Sequence, residues 1–220
     1  MKKSILATFS LALMAGSAPS QAAESATINI KGSVIPTSCS VNVTGSADYG
    51  ELHSTEVGKA DEKGYALPAK QIPVNVSCGA PMLVALSFQA DEVASTASTI
   101  NLPVIGSIND ASRNKVGVLG VNNGKPIGFY ALRLSDTGTT NMPRGTVIYS
   151  LDSGATWDSG FTDQTLIALD STMWVGNPNT PVPDYTTMLE LSAAIDPKVS
   201  VSATDTIEFN TNTTVSLHYI

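Results

Sequence analysis

Cys39 and Cys78 are the only two cysteines of the 220-residue chain, and what two thiols do depends on where the chain resides. In an oxidising compartment they pair, and closing a loop of about 40 residues stabilises by about 4 kcal/mol in loop-entropy arithmetic. In a reducing cytosol they would be two buried thiols. The remaining side chains suited to chemistry are sparse. His53 and His218 have no metal-ligand spacing with each other or with a cysteine, and no G-x-S-x-G elbow, phosphate-binding glycine loop or Cys-His pair is present. Neither a catalytic residue, a metal nor a cofactor is expected.

One further motif invites a chemical reading. Ser150-Leu151-Asp152-Ser153-Gly154-Ala155-Thr156-Trp157 fits S-x-D-x-G-x-T-W, which resembles the Asp-box of sialidases and other secreted β-proteins. The residue types describe a hairpin loop: Asp152 accepts backbone N–H bonds, Gly154 supplies a positive φ, and Trp157 packs over the turn. Ser150 and Thr156 complete the pattern. Sialidase-like enzymes carry several copies and an arginine cluster, whereas this chain has one copy and only Arg113, Arg133 and Arg144. No acidic or tyrosine pair is singled out for glycosidic chemistry. A structural role is expected, with a glycosidase as the distant alternative.

Met1 to Ala22 sets the compartment. Lys2 and Lys3 precede an apolar run from Ile5 to Ala15, and Ser20-Gln21-Ala22 supplies small residues for cleavage after Ala22 or Ala23. The run falls short of the roughly 20 residues of a spanning helix, and no later segment approaches it, so an exported chain without a membrane span is expected. Without that segment the formal charge goes from −7 to −9. An acidic surface with scattered Lys and Arg excludes nucleic acid as a partner. The sequons at Asn42, Asn75 and Asn212 carry little meaning in a bacterial periplasm.

Just under 200 residues, 23–220, remain for the fold, a routine length for a single all-β domain. Short apolar/polar alternations recur between Gly, Asn, Asp and Pro clusters, and helical periodicity is scarce. Strands are expected over Ile28–Val43, Ile72–Cys78, Met82–Phe88, Gly128–Leu134, Val147–Leu151, Met188–Ala193, Thr206–Phe209 and Thr213–Ile220. Asn122-Asn123-Gly124-Lys125 reads as a hairpin turn, and Gly176–Asp184 as a loop. Ala94–Thr99 reads as a helical turn or a loop. The spacing suits a β-sandwich.

Both ends of that domain alternate. Ile28, Ile30 and Val34 share one face with Gly32, and Val215, Leu217 and Tyr219 share one face with Thr213. These are either the first and last strands of a closed sandwich, or the donor and acceptor of a strand passed between molecules. His218 lies on the opposite face and is expected to point outward.

Ile30-Lys31-Gly32-Ser33-Val34-Ile35 ahead of Cys39-Ser40-Val41, with the terminal Val215-Ser216-Leu217-His218-Tyr219-Ile220, resembles chaperone-usher pilus subunits. Asp48-Tyr49-Gly50 and Leu67-Pro68-Ala69-Lys70-Gln71-Ile72 leading to Cys78 are similar to a family of unknown function described as beta-fimbriae major subunits. The likeness covers Ile28 to about Phe88 and the last eight residues.

The resemblance implies an immunoglobulin-like sandwich that lacks its seventh strand, a periplasmic chaperone, an outer-membrane usher, and assembly into an adhesive fimbrium on the cell surface by donor-strand exchange. It places the donor arm at about 24–35, with Ile28, Ile30, Gly32 and Val34 as donor contacts. Val215, Leu217 and Tyr219 then pair with the chaperone or receive the donor. The pattern departs at three points: about 16 residues precede Cys39 after cleavage, Ile207 stands where many subunits have glycine, and the chain is longer than a shaft subunit. The alternative is a self-contained periplasmic β-sandwich that binds an unidentified ligand.

Overall fold

The computed structural model describes residues 26–53, 65–94, 100–102, 106–108, 115–140, 147–160, 165–196, 199 and 206–220. The expected export segment, the stretch from Ser95 to Thr99, and Arg113 and Arg144 lie outside these residues. The chain divides after Ile35. Residues 26–35 contain no regular element.

Thirteen strands follow among the described residues: β1 (Cys39–Val43), β2 (Tyr65–Ala66), β3 (Lys70–Met82), β4 (Val84–Ala90), β5 (Ile100–Leu102), β6 (Gly106–Ile108), β7 (Gly117–Asn122), β8 (Lys125–Thr140), β9 (Ile148–Ser150), β10 (Leu166–Ile167), β11 (Trp174–Gly176), β12 (Val182–Ile195) and β13 (Thr213–Tyr219). The larger sheet runs β1-β3-β12-β8-β10, with β2 beside β12 and β7 beside β8; the smaller runs β13-β4-β11-β9. Strands β5 and β6 pair with each other. Every ladder is antiparallel, and no described residue lies in an α-helix. The fold is an all-β sandwich.

Alternation places the core. Val74 and Val76 of β3, Tyr185 and Leu189 of β12, and Tyr130, Leu132 and Leu134 of β8 meet Leu86 and Phe88 of β4 and Val175 of β11 in one buried cluster. Burying each large side chain stabilises by roughly 1.5–3 kcal/mol. The β7–β8 hairpin turns on Asn123 (φ 51°) and Gly124 (φ 74°), the two positive φ values of a type I′ turn. Cys39 and Cys78 are directly opposed in the β1–β3 ladder and joined as a disulfide.

The outer face of the larger sheet is covered as well. Phe129 and Ala131 of β8 and Ala194 of β12 pack with Ala94, Leu102, Val116 and Val118 in a second buried cluster. Chain between β4 and β7 thus supplies a third apolar layer. On the same face Arg133 and Glu190, neighbours in register, form a 3.1 Å ion pair with both side chains about one-tenth exposed.

Three expected elements differ. The strand read from Ile28 forms only from Cys39, because alternation prepares a segment to pair but a strand needs a neighbouring edge. Thr206–Phe209 is likewise not a strand in the described structure. Conversely, β12 begins at Val182, inside the proline-rich stretch read as loop, with a register shift between Val182 and Asp184 that accommodates Pro183.

Candidate functional site: a groove beside the last strand

Strand β13 is the end strand of the smaller sheet and pairs only with β4 among the described residues. The register fixes which main-chain groups are left over. The N–H of Ile220 donates to the carbonyl of Leu83, and the N–H of Asp91 to the carbonyl of Asn212. In an antiparallel ladder these directions alternate, so Ser216 and His218 point their main-chain groups at β4. Thr213, Val215, Leu217 and Tyr219 point theirs at the open edge. The same four residues carry their side chains toward the core, because Val215 and Leu217 lie opposite the buried Phe88 and Leu86.

Beneath that edge lies a groove of about 1480 Å³. Its floor is the inner face of the larger sheet: Ile72, Leu119, Tyr130, Leu132, Leu189 and Ile195. One lip is Val43 of β1 with residues 45–53 that continue from it; the other is residues 206–213 and Val215. Further along β13, beyond the residues that line the groove, the N–H of Cys39 donates to the Tyr219 hydroxyl at 2.8 Å, pinning β1 to β13. The Tyr130 hydroxyl meets Thr213 Oγ1 at 2.7 Å and ties the floor to the start of β13.

The floor of the groove is apolar, whereas its lips carry polar side chains, among them Ser46, Asp48, Glu51, Glu208, Asn210 and Asn212. The Tyr49 hydroxyl is buried without a hydrogen-bond partner, and desolvation pushes its pKa up to about 12. Its ring meets the edge of Phe209 with centroids 6.1 Å apart, and Lys70 Nζ lies 5.2 Å from its centroid. Burial also raises the Tyr130 pKa. The groove thus has an apolar floor between two lips of mixed polarity, with the outward-facing main-chain groups of Thr213 and Val215 on one side. Among the described residues no three His, Cys, Asp or Glu side chains group to hold a metal ion, and no helix is long and apolar enough to cross a membrane.

A second cluster lies on the outer face of the smaller sheet. His218 stacks on Trp174 with ring centroids 3.9 Å apart and planes 12° from parallel, while its Nε2 lies 2.8 Å from the Oγ of buried Ser87. The outward direction expected for His218 is thus right for the strand face, but the ring is covered rather than solvated. Desolvation lowers its pKa. The Asp-box loop abuts the same Trp174: a Cβ on Gly154 would stand 2.8 Å from the indole.

Within that loop Asp152 accepts from Ser150 Oγ (2.6 Å), Thr156 N–H (2.8 Å) and Thr156 Oγ1 (2.6 Å), which holds its carboxyl down at about 2. Gly154 has φ 91°, its N–H donates to Ser150 Oγ, and its carbonyl accepts from Trp157 Nε1 at 3.1 Å. The polar side chains of Ser150, Asp152, Thr156 and Trp157 are all engaged in holding the loop.

Of the three expected β13 residues, Val215 lines the groove, Leu217 follows it along the open edge, and Tyr219 is pinned to Cys39. Ile28, Ile30 and Val34 are 85, 90 and 99 % exposed, in the segment with Gly32 that has no regular element. Tyr49 entered the sequence analysis only as part of a family likeness, Phe209 and the floor residues Leu132 and Leu189 only as parts of expected strands, and Trp174 not at all. The apolar runs of β8 and β12 signalled a covered sheet, but not that their side chains border one groove. The chain matches no protein-family model, and no curated protein matches it.

Proposed function

We propose that this protein is a structural subunit of a surface fimbrium, assembled by passing a strand from one copy to the next. The observation that supports this most is the edge of β13 that pairs with no other strand among the described residues, beside a groove with an apolar floor. An incoming strand there gains main-chain hydrogen bonds from Val215 and Leu217 while its alternate side chains enter the groove. The occupant is the N-terminal segment of a second copy. Residues 28–34 alternate Ile28, Ile30, Gly32 and Val34 on one face, and residues 26–35 extended span about 33 Å, enough to run the length of β13 at about 23 Å.

Until that strand arrives, a periplasmic chaperone covers the edge, and an outer-membrane usher exports the subunit. The Asp-box takes no part, since its groups are spent within the loop, and the reading is of assembly without catalysis.

A second reading, a self-contained periplasmic sandwich that binds a ligand, draws on the partial burial of Ile207 and Phe209 against the core. Deleting residues 24–30 separates the two. Fimbrial assembly predicts that the truncated protein folds but no longer forms heat-stable oligomers in cells that supply chaperone and usher. Oligomers of undiminished yield from the truncated protein would falsify the strand-donation reading.

A further inference from the structure

Residues 206–212 form an extended segment with the habit of a strand. Exposure alternates without a break: Thr206, Glu208, Asn210 and Asn212 are exposed, while Ile207, Phe209 and Thr211 are half-buried. Ile207 and Phe209 pack against the main core cluster. No ladder among the described residues includes this segment.

It borders the groove along all seven residues. Its backbone at Phe209 and Asn210 passes over Gly120 of β7, where an added Cβ would stand 3.7 Å from Phe209 Cα and from Asn210 N. Phe209 reaches the opposite lip at Tyr49. Below it the floor residues Leu119, Tyr130, Leu132, Leu189 and Ile195 are at most 4 % exposed, buried in the cluster against which Ile207 and Phe209 pack.

The C-terminal end of the segment is fixed. Asp91 Oδ2 accepts from the Asn212 N–H at 3.0 Å and from its side-chain amide at 2.9 Å, and the Asp91 N–H donates to the Asn212 carbonyl at 3.0 Å. Past this clamp the chain enters β13. The segment is therefore anchored at the acceptor strand and held over the groove by side-chain burial.

We infer that residues 206–212 are a surrogate strand that occupies part of the groove in the free subunit, clasped by Phe209 against Tyr49, and that yields to the incoming strand. The inference rests on the groove being the acceptor of a donated strand. Ile207 and Phe209 shield the floor from water without satisfying the edge of β13, so the segment is a competitor that an entering strand outbids by its hydrogen bonds. A closed population of this kind weakens the apparent affinity in proportion to its occupancy.

The test uses a fluorescent synthetic peptide of residues 26–36, titrated into the purified protein and into its Phe209→Ser variant. The surrogate strand predicts about tenfold tighter uptake by the variant, because the apolar burial holding the cover shut is lost. A second measurement on the unaltered protein needs no substitution: peptide uptake increases chymotryptic cleavage after Phe209 as the segment is displaced. Equal or weaker uptake by the variant, or unchanged cleavage, overturns the surrogate strand while leaving strand donation standing. Uptake by neither protein overturns strand donation itself, and the surrogate strand with it.

Discussion

Gly154 and His218 grip Trp174 from the Asp-box loop and from β13 respectively. A side chain at position 154 would face two penalties, a φ of 91° and an approach of 2.8 Å to an indole held in a stack. Gly154→Ala is accordingly expected to destabilise by about 1–3 kcal/mol, read by denaturant unfolding, and an unchanged midpoint would contradict this account of the loop.

His218 adds a pH dependence of defined sign. Desolvation holds its folded pKa below the ordinary 6.5, so the unfolded chain takes up the proton first. Its contribution is complete above pH 6.5 and declines as the pH falls below that value. Thermal melts of the native protein should fall between pH 7.5 and pH 5 relative to those of His218→Phe, which retains an aromatic ring but no titrating group. Parallel profiles for the two proteins would rule this out.

Among the elements, those whose side chains alternate against a partner were legible in the sequence. Val74-Asn75-Val76 of β3 and Leu132-Arg133-Leu134 of β8 announce strands with one buried face, and the cysteines beside Val41 and Val76 announce a bridge between neighbours. What alternation does not carry is whether a neighbour exists. Ile28–Val34 and Thr206–Phe209 have the same period as β13, yet neither joins a ladder. The same blindness hid the groove, whose floor residues Leu119, Leu132 and Leu189 are ordinary core side chains and not residues of unusual type. The outer cluster did leave a trace: Phe129-Tyr130-Ala131-Leu132 is apolar on both faces, the mark of a strand buried on both sides.

The bridge makes its own prediction at this scale. It closes a loop of 39-residue separation, and β1 has no other strand partner than β3 among the described residues. The Cys39→Ala, Cys78→Ala double variant is expected to lose about 4 kcal/mol of stability. Since the same β1 carries the Val43 lip and the N–H that pins Tyr219, peptide uptake should weaken with it. A double variant as stable as the parent would show that the bridge does not hold β1 in place.

For the whole molecule, the decisive property is that one edge of β13 is spent on the ladder with β4 and the other joins no ladder among the described residues. These two edges can be separated by proline, which removes a single N–H and is tolerated in a strand only where that group faces away from the ladder. The Leu217 N–H faces the open edge, whereas the Ser216 N–H faces β4. Leu217→Pro should therefore leave the sandwich folded, with a loss of melting temperature limited to that of its half-buried side chain and smaller than that of a broken ladder, while abolishing uptake of the 26–36 peptide and assembly into oligomers. Ser216→Pro, one residue away, breaks a β4–β13 hydrogen bond and is expected to cost about 3 kcal/mol or more in stability. Melting temperature and oligomer yield, measured on both variants, give opposite patterns if the register and the function are both as described. If Leu217→Pro assembles as well as the parent, the open edge of β13 is not where subunits join. If the two prolines destabilise equally, the edge was never free.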